Sequence, residues 1–321
     1  MIIQFFIFVF GLVFLWFGAE ILVKNSSRLA KSMGISPVII GLSVVSMGTS
    51  APELVVSVVA VIEGNPGISI GNIVGSNIAN MGLILGIGAM ICPMEVKLNW
   101  VKREVPFMIG VTIVFIFLAY AGLELSFFDG IVLLLLMAVF MYYLVRYSAK
   151  EMAEFKEIQE TSLQSEVLEK HSPPKKRMYF LLLALAGAAV LVFGSEITVS
   201  SGKKIAEYFG VSDLVIGLTL VALGTSLPEM ATTIIAAIRK ETDLIIGNVV
   251  GSNIFNLLLI GGVVPLIKPI PIDSNLFAVQ FPILIMLSIL ILPMMRIKMN
   301  LQRYEGMLLF IIYFLFVYFT L

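Results

Sequence analysis

Charge is what this sequence has least of. Only 13% of its 321 residues are Asp, Glu, Lys or Arg, against 59% hydrophobic, and the mean hydropathy is +1.04. Soluble domains carry about a quarter charged residues, so a water-exposed globule is excluded and lipid is the expected solvent. Neither sign of charge prevails: 21 basic residues balance 21 acidic ones, which leaves no basic surface for nucleic acid. Cys92 is the only cysteine and His171 the only histidine. One thiol forms no internal disulfide or thiolate cluster. One imidazole, placed in the most polar loop, excludes His-ligated zinc or haem. The apolar run that opens the chain, Met1–Val23, is preceded by no basic residue, so it is expected to be a retained first helix rather than a signal peptide.

Long apolar runs are what the sequence has instead. At about 20 residues per span, the length accommodates on the order of ten helices. The runs lack the dyad alternation of barrel strands, so the spans are helical. They fall at Ile2–Val23, Pro37–Ile62, Ile68–Ile91, Val105–Leu123 and Phe127–Val145, then at Met178–Ser200, Leu214–Ile238, Leu244–Ile267, Leu276–Met295 and Tyr304–Phe319.

The two sets of five are copies of one unit. FGAEILV at Phe17–Val23 returns as FGSEITV at Phe193–Val199, and GTSAPE at Gly48–Glu53 returns as GTSLPE at Gly224–Glu229. GNIVGSNIAN at Gly71–Asn80 returns as GNVVGSNIFN at Gly247–Asn256. One offset of 176 relates all three pairs, and about 30 of the 70 positions they span are identical. Five helices per copy is an odd number, so the second copy enters the membrane from the opposite side. Charge agrees: alternate loops hold 18 of the 21 lysines and arginines, and the other side holds Lys203, Lys204 and Lys268. The positive-inside rule then places the charge-rich side in the cytoplasm and both termini outside. The predicted fold is an all-α polytopic membrane protein of ten transmembrane helices in two inverted-topology five-helix repeats, residues 1–146 and 178–321. A solvated cytoplasmic linker, 147–177, joins them. Inverted repeats are typical of secondary transporters that bind substrate near the midplane.

Glu53 and Glu229 lie deep inside predicted spans at equivalent positions. A charge at mid-bilayer costs about 2.5–3.5 kcal/mol on insertion scales, so a repeated one calls for a function. Pro52 and Pro228 each remove a backbone donor, which is expected to free the carbonyls of Gly48 and Gly224 and kink the helix. Thr49, Ser50, Thr225 and Ser226 add hydroxyls. Ser76 and Asn80 share a helix face at a spacing of four, as do Ser252 and Asn256. Oxygen donors without histidine or cysteine suit hard cations such as Na⁺ and Ca²⁺. Gly71, Gly75, Gly247 and Gly251 read as small-residue helix packing. Asn72, Asn77, Asn248 and Asn253 either cap backbone breaks or line the site. Glu20 and Glu196 read as interfacial carboxylates, and the many Phe and Met residues as packing or lipid-facing groups.

These duplicated motifs resemble the α-repeats of the calcium/cation antiporter superfamily, most of all its prokaryotic sodium/calcium exchanger branch. The resemblance implies an antiporter, not an enzyme, that exchanges Na⁺ for Ca²⁺ across the cell membrane by alternating access. It implies clustered cation sites between helices two, three, seven and eight, with helices one and six sliding past that core. Carried over by position, Glu53 and Glu229 are the shared carboxylates, and Thr49 and Thr225 bind Ca²⁺ through backbone oxygens. Ser50, Ser76, Ser252, Asn80 and the Ala222 and Ser46 carbonyls complete flanking sodium sites. Asn256 stands where some members carry aspartate, which leaves two carboxylates in the core and makes proton participation there less favoured. The GNATE-type motifs of the proton-coupled branch are absent. No cofactor, nucleic acid or obligatory protein partner is implied, only the transported ions and the bilayer. Ca²⁺/H⁺ exchange remains an alternative because a desolvated carboxyl binds protons readily, and K⁺-dependent exchange is another. A cation channel and an intramembrane hydrolase are the readings outside the transporter class. A pore needs a continuous path, and a hydrolase needs a Ser/His pair that the chain lacks.

Overall fold

A computed structural model describes residues 1–98, 100–161, 174–209 and 222–320, without the side chains at 151, 152, 154–161, 174 and 222. His171 and the start of the run expected at Leu214–Ile238 lie outside the described residues.

The helices follow the apolar runs, with ends set by glycine and proline. Helix α1 (Ile2–Met33) closes on Gly34 in the left-handed region (φ 70°), whose N–H reaches the carbonyls of Ala30 and Lys31. That is the role a Cβ-free residue serves at a helix C-terminus. It runs ten residues past its apolar stretch because Lys24, Arg28 and Lys31 leave one face while Ser26, Ser27, Leu29 and Ala30 bury the other. Helix α2 (Pro37–Thr49) and helix α3 (Ala51–Ile62) form one span bent by 42° at Ser50, where Pro52 interrupts the ladder. Then come α4 (Pro66–Ile91), α5 (Trp100–Gly122), α6 (Phe127–Thr161), α7 (Pro174–Tyr208), α8 (Leu227–Ile238), α9 (Thr242–Ile267), α10 (Leu276–Lys298) and α11 (Arg303–Thr320). The expected linker at 147–177 is helical as far as Thr161, as a continuation of α6.

Among the described residues, eight helices are long and apolar enough to cross a membrane, and nine if the bent pair counts as one. Helix α8 is a shorter apolar helix of 12 residues, and residues 210–221 before it are not described. The protein is a multi-pass helical membrane protein. Its most hydrophobic surfaces are outward: Phe5, Phe6, Phe117, Leu135 and Phe319 are exposed, as lipid-facing groups should be. Helices α4 and α9 are the inner layer and are buried over most of their lengths.

Contacts recur at the offset of the sequence repeat. Two-residue strands β1 (Met94–Glu95) and β4 (Asn300–Leu301) pair antiparallel, and so do β2 (Glu124–Leu125) and β3 (Ile270–Pro271). Each pair joins one copy to the other. Thr112 Oγ1 meets Ser288 Oγ, its own counterpart, at 3.5 Å. π-Helical turns at Asn80–Ile84 and Asn256–Ile260 begin on equivalent asparagines. Helices α1 and α7 cross most closely at glycines: a Cβ on Gly187 would lie 2.6 Å from the Leu22 nitrogen, and one on Gly194 would lie 2.8 Å from that of Leu15.

Candidate cation site

The two proline breaks set Glu53 and Glu229 in the first turns of α3 and α8, and both residues are fully buried. Each carboxylate accepts a hydroxyl from the other copy's motif: Ser50 Oγ donates to Glu229 Oε1 at 3.0 Å, and Ser226 Oγ to Glu53 Oε1 at 3.4 Å. Ser252 Oγ adds a second donor to Glu229 Oε1 at 3.4 Å, while Ser226 Oγ also lies 3.4 Å from Ser76 Oγ. The second oxygen of each carboxylate, Oε2, is buried without a hydrogen-bond partner. An unpaired carboxylate oxygen out of water is costly unless a cation or a proton offsets its charge.

Asn80 and Asn256 are fully buried at the π-turns. Asn80 Nδ2 donates to Asn253 Oδ1 at 3.2 Å, which leaves Asn80 Oδ1 without a partner, and neither polar atom of Asn256 has one. Asn77 Oδ1 and Asn248 Nδ2, on the same two helices, are likewise buried without a partner. Among the described residues no three His, Cys, Asp or Glu side chains cluster to hold a metal, so the carboxylate pair stands with neutral oxygen donors around it.

The asparagines of the GN motifs are the residues whose role sequence reasoning left open. Asn72 bridges the break of the neighbouring span, donating to the Glu53 carbonyl (3.1 Å) and Ser57 Oγ (2.9 Å), and accepts from Thr225 Oγ1 at 3.2 Å. Asn248 Oδ1 accepts from Thr49 Oγ1 at 3.2 Å. Both threonine hydroxyls are thus engaged by the opposite copy. Asn77 instead returns its Nδ2 to the Ile73 carbonyl of its own helix, at 2.7 Å. The offset of these asparagines from the GTS motifs was visible in the sequence; their reach across the copies was not.

One expectation needs correction. The Gly224 carbonyl is not free: Ser195 Oγ of α7 donates to it at 2.7 Å. The first copy has Ala19 at that position and can supply no such donor. The Ser46 carbonyl accepts the Ser50 N–H at 2.9 Å and the Thr49 hydroxyl at 3.4 Å. Gly247 packs its Cα against Gly41 and Gly251 packs against Ser46, the close approach that small residues allow. Ala222 opens a single turn, Ala222–Gly224, at the edge of the described residues.

Comparison with known proteins bears on what such a site does. The family model described as sodium/calcium exchanger protein matches residues 3–146 and 179–321. The sodium/calcium exchanger MaX1 of Methanosarcina acetivorans is 33% identical over 97% of this chain and 96% of its own length. The putative antiporter CaxA of Alkalimonas amylolytica is 39% identical over 82% of this chain and 81% of its own. Among solved structures, the sodium-calcium exchanger NCX_Mj, soaked with Na⁺ and Sr²⁺, superposes with a TM-score of 0.80 at 34% identity, covering 98% of this chain and 97% of that one.

Proposed function

The chain belongs to the sodium/calcium exchanger protein family, and from that premise we propose that it is an antiporter exchanging Na⁺ for Ca²⁺ by alternating access. The observation that carries this reading is the pair of fully buried carboxylates, each hydroxyl-bonded across the copies at one oxygen and unpartnered at the other. Two carboxylates neutralise one Ca²⁺ or two Na⁺. The same two groups therefore serve both ions in turn, and that competition is what couples the fluxes.

Glu53 and Glu229 hold the divalent ion together with the Thr49 and Thr225 backbone oxygens. Ser50, Ser226, Ser76, Ser252, Asn80, Asn256 and the Ser46 and Ala222 carbonyls serve the flanking sodium positions. The ions are cargo, and neither a cofactor nor catalysis by covalent chemistry enters the cycle. The chain is organised as ten transmembrane helices in two inverted repeats, 1–146 and 178–321, around a cytoplasmic segment at 147–177. The reciprocal strand pairs and the Thr112–Ser288 contact support that reading. The charge-rich side faces the cytoplasm of the cell membrane, with both termini outside.

Ca²⁺ flux in proteoliposomes tests the coupling, with an imposed Na⁺ gradient compared against an imposed pH gradient. Flux driven by Na⁺, lost in Glu53→Gln and Glu229→Gln, is the expected result. Flux driven by pH alone assigns Ca²⁺/H⁺ exchange instead, and a requirement for K⁺ assigns the K⁺-dependent mode.

A further inference from the structure

Helix α1 is tied to the far end of α8 by an ion pair. Arg239 Nε donates to Glu20 Oε2 at 2.8 Å, and a second guanidinium nitrogen contacts Glu20 Oε1, a two-point clamp between α1 and the residue that ends α8. Seven residues further along α1, Ser27 Oγ donates to Glu241 Oε1 at 2.7 Å. Both ties lie on the charge-rich side, where they seal the sliding helix against the core that carries Glu229.

The repeat lets the other side be read at the same positions. Glu20 returns as Glu196, but Arg239 corresponds to Glu63 and Glu241 to Asn65. Two carboxylates at these positions cannot form an ion pair with each other. On that side, a cavity of about 460 Å³ separates the start of α3 from α7. Val55, Val56, Glu196 and Lys203 line it, and it reaches Thr225 beside the carboxylate pair. Equivalent residues report the difference: Val56 is 36% exposed and Thr232 only 1%.

We propose that Glu20 and Arg239 form a latch that holds the charge-rich side closed, and that the sign change from Arg239 to Glu63 leaves the opposite side unlatched. The resting conformation is then biased toward opening away from the cytoplasm. The proposal rests on the alternating-access reading above, since it concerns which of the two openings the fold prefers. Both side chains of the pair are about one-third exposed, so solvent screens the attraction. The upper end for such a pair, about 1 kcal/mol, corresponds to about a fivefold shift in the population of the closed state.

Thiol labelling of the purified full chain in nanodiscs tests this without any ion gradient, so it does not depend on which ions are exchanged. In a Cys92→Ala background, Val56→Cys reports the open side and Thr232→Cys the latched one. Labelling at a site open only in a minor state scales with that state's population. Glu20→Gln and Arg239→Gln are expected to speed labelling of Thr232→Cys about fivefold while leaving Val56→Cys fast. The exchanged pair Glu20→Arg with Arg239→Glu is expected to return it to the parent rate. Glu63→Arg gives Glu196 a partner on the other side, and should raise labelling of Thr232→Cys by a similar factor. Unchanged labelling in the single variants, failure of the exchanged pair to restore it, or no response to Glu63→Arg would overturn the proposal. So would an equal rise at both reporters, which marks local unfolding. Absence of Na⁺-driven Ca²⁺ flux in a chain that passes this test would refute the exchange reading and leave the latch standing.

Discussion

Replacing Glu229 by Gln removes one of the two charges that would face Ca²⁺ and changes little else. Gln keeps an acceptor oxygen where Ser50 and Ser252 now donate, at 3.0 and 3.4 Å, so the local packing survives. The bound state does not. With both carboxylates present, one Ca²⁺ is neutralised in a fully buried site; with one, a net positive charge is left in low dielectric. Breaking a buried pair in this way costs about 3–5 kcal/mol, which is roughly a 150- to 4,000-fold loss of Ca²⁺ affinity. Thermal unfolding with and without Ca²⁺ reads this directly. At a free concentration of about 100 times its dissociation constant, the ion adds about 2.7 kcal/mol to the parent. In Glu229→Gln the same concentration should add about 0.3 kcal/mol or less. The midpoint without ion should be equal to or above that of the parent, because a buried like-charge contact has been removed. If Ca²⁺ raises the midpoint of Glu229→Gln as much as it raises that of the parent, Glu229 is not a ligand and the site lies elsewhere.

Other substitutions probe the frame around the pair. Asn72→Ala loses its donations to the Glu53 carbonyl and Ser57 and its acceptance from Thr225, so a destabilisation of about 1–3 kcal/mol is expected in thermal unfolding. Gly187→Ala forces α1 and α7 apart because the new Cβ would sit 2.6 Å from the Leu22 nitrogen. It should cost about 1–3 kcal/mol, whereas Gly110→Ala, with no described atom within 4 Å, should cost nothing measurable in the same assay. Asn256→Asp places a third carboxylate at a side chain whose two polar atoms have no partner. The Na⁺ dependence of exchange should steepen, and Ca²⁺ binding by titration should weaken as pH falls, because the added acid must lose its proton before it can hold a cation.

How much of this was legible in the sequence follows from the range of each cause. Lipid as solvent, the helical spans, the duplication and the buried glutamates are set by composition and by patterns local to twenty residues or one fixed offset, and reading along the chain recovers them. The break at Ser50 is equally local, because Pro52 lacks its N–H whatever surrounds it. Helix ends were less legible: α1 and α6 continue past their apolar runs, since a helix goes on wherever one polar face can reach water.

What joins the copies was decided only by the fold. Ser50 reaches Glu229 rather than Glu53, Asn72 holds Thr225, and Ser195 claims the Gly224 carbonyl. Each depends on how two helices cross, and crossing is set by side chains far apart in sequence. Glu20 had the pattern of a lone interfacial carboxylate until packing brought Arg239, 219 residues away, to its side. Composition and local motif settle which residues carry charge and oxygen into the membrane. The tertiary structure decided which of them face one another, because that follows from distances between elements that no local pattern encodes.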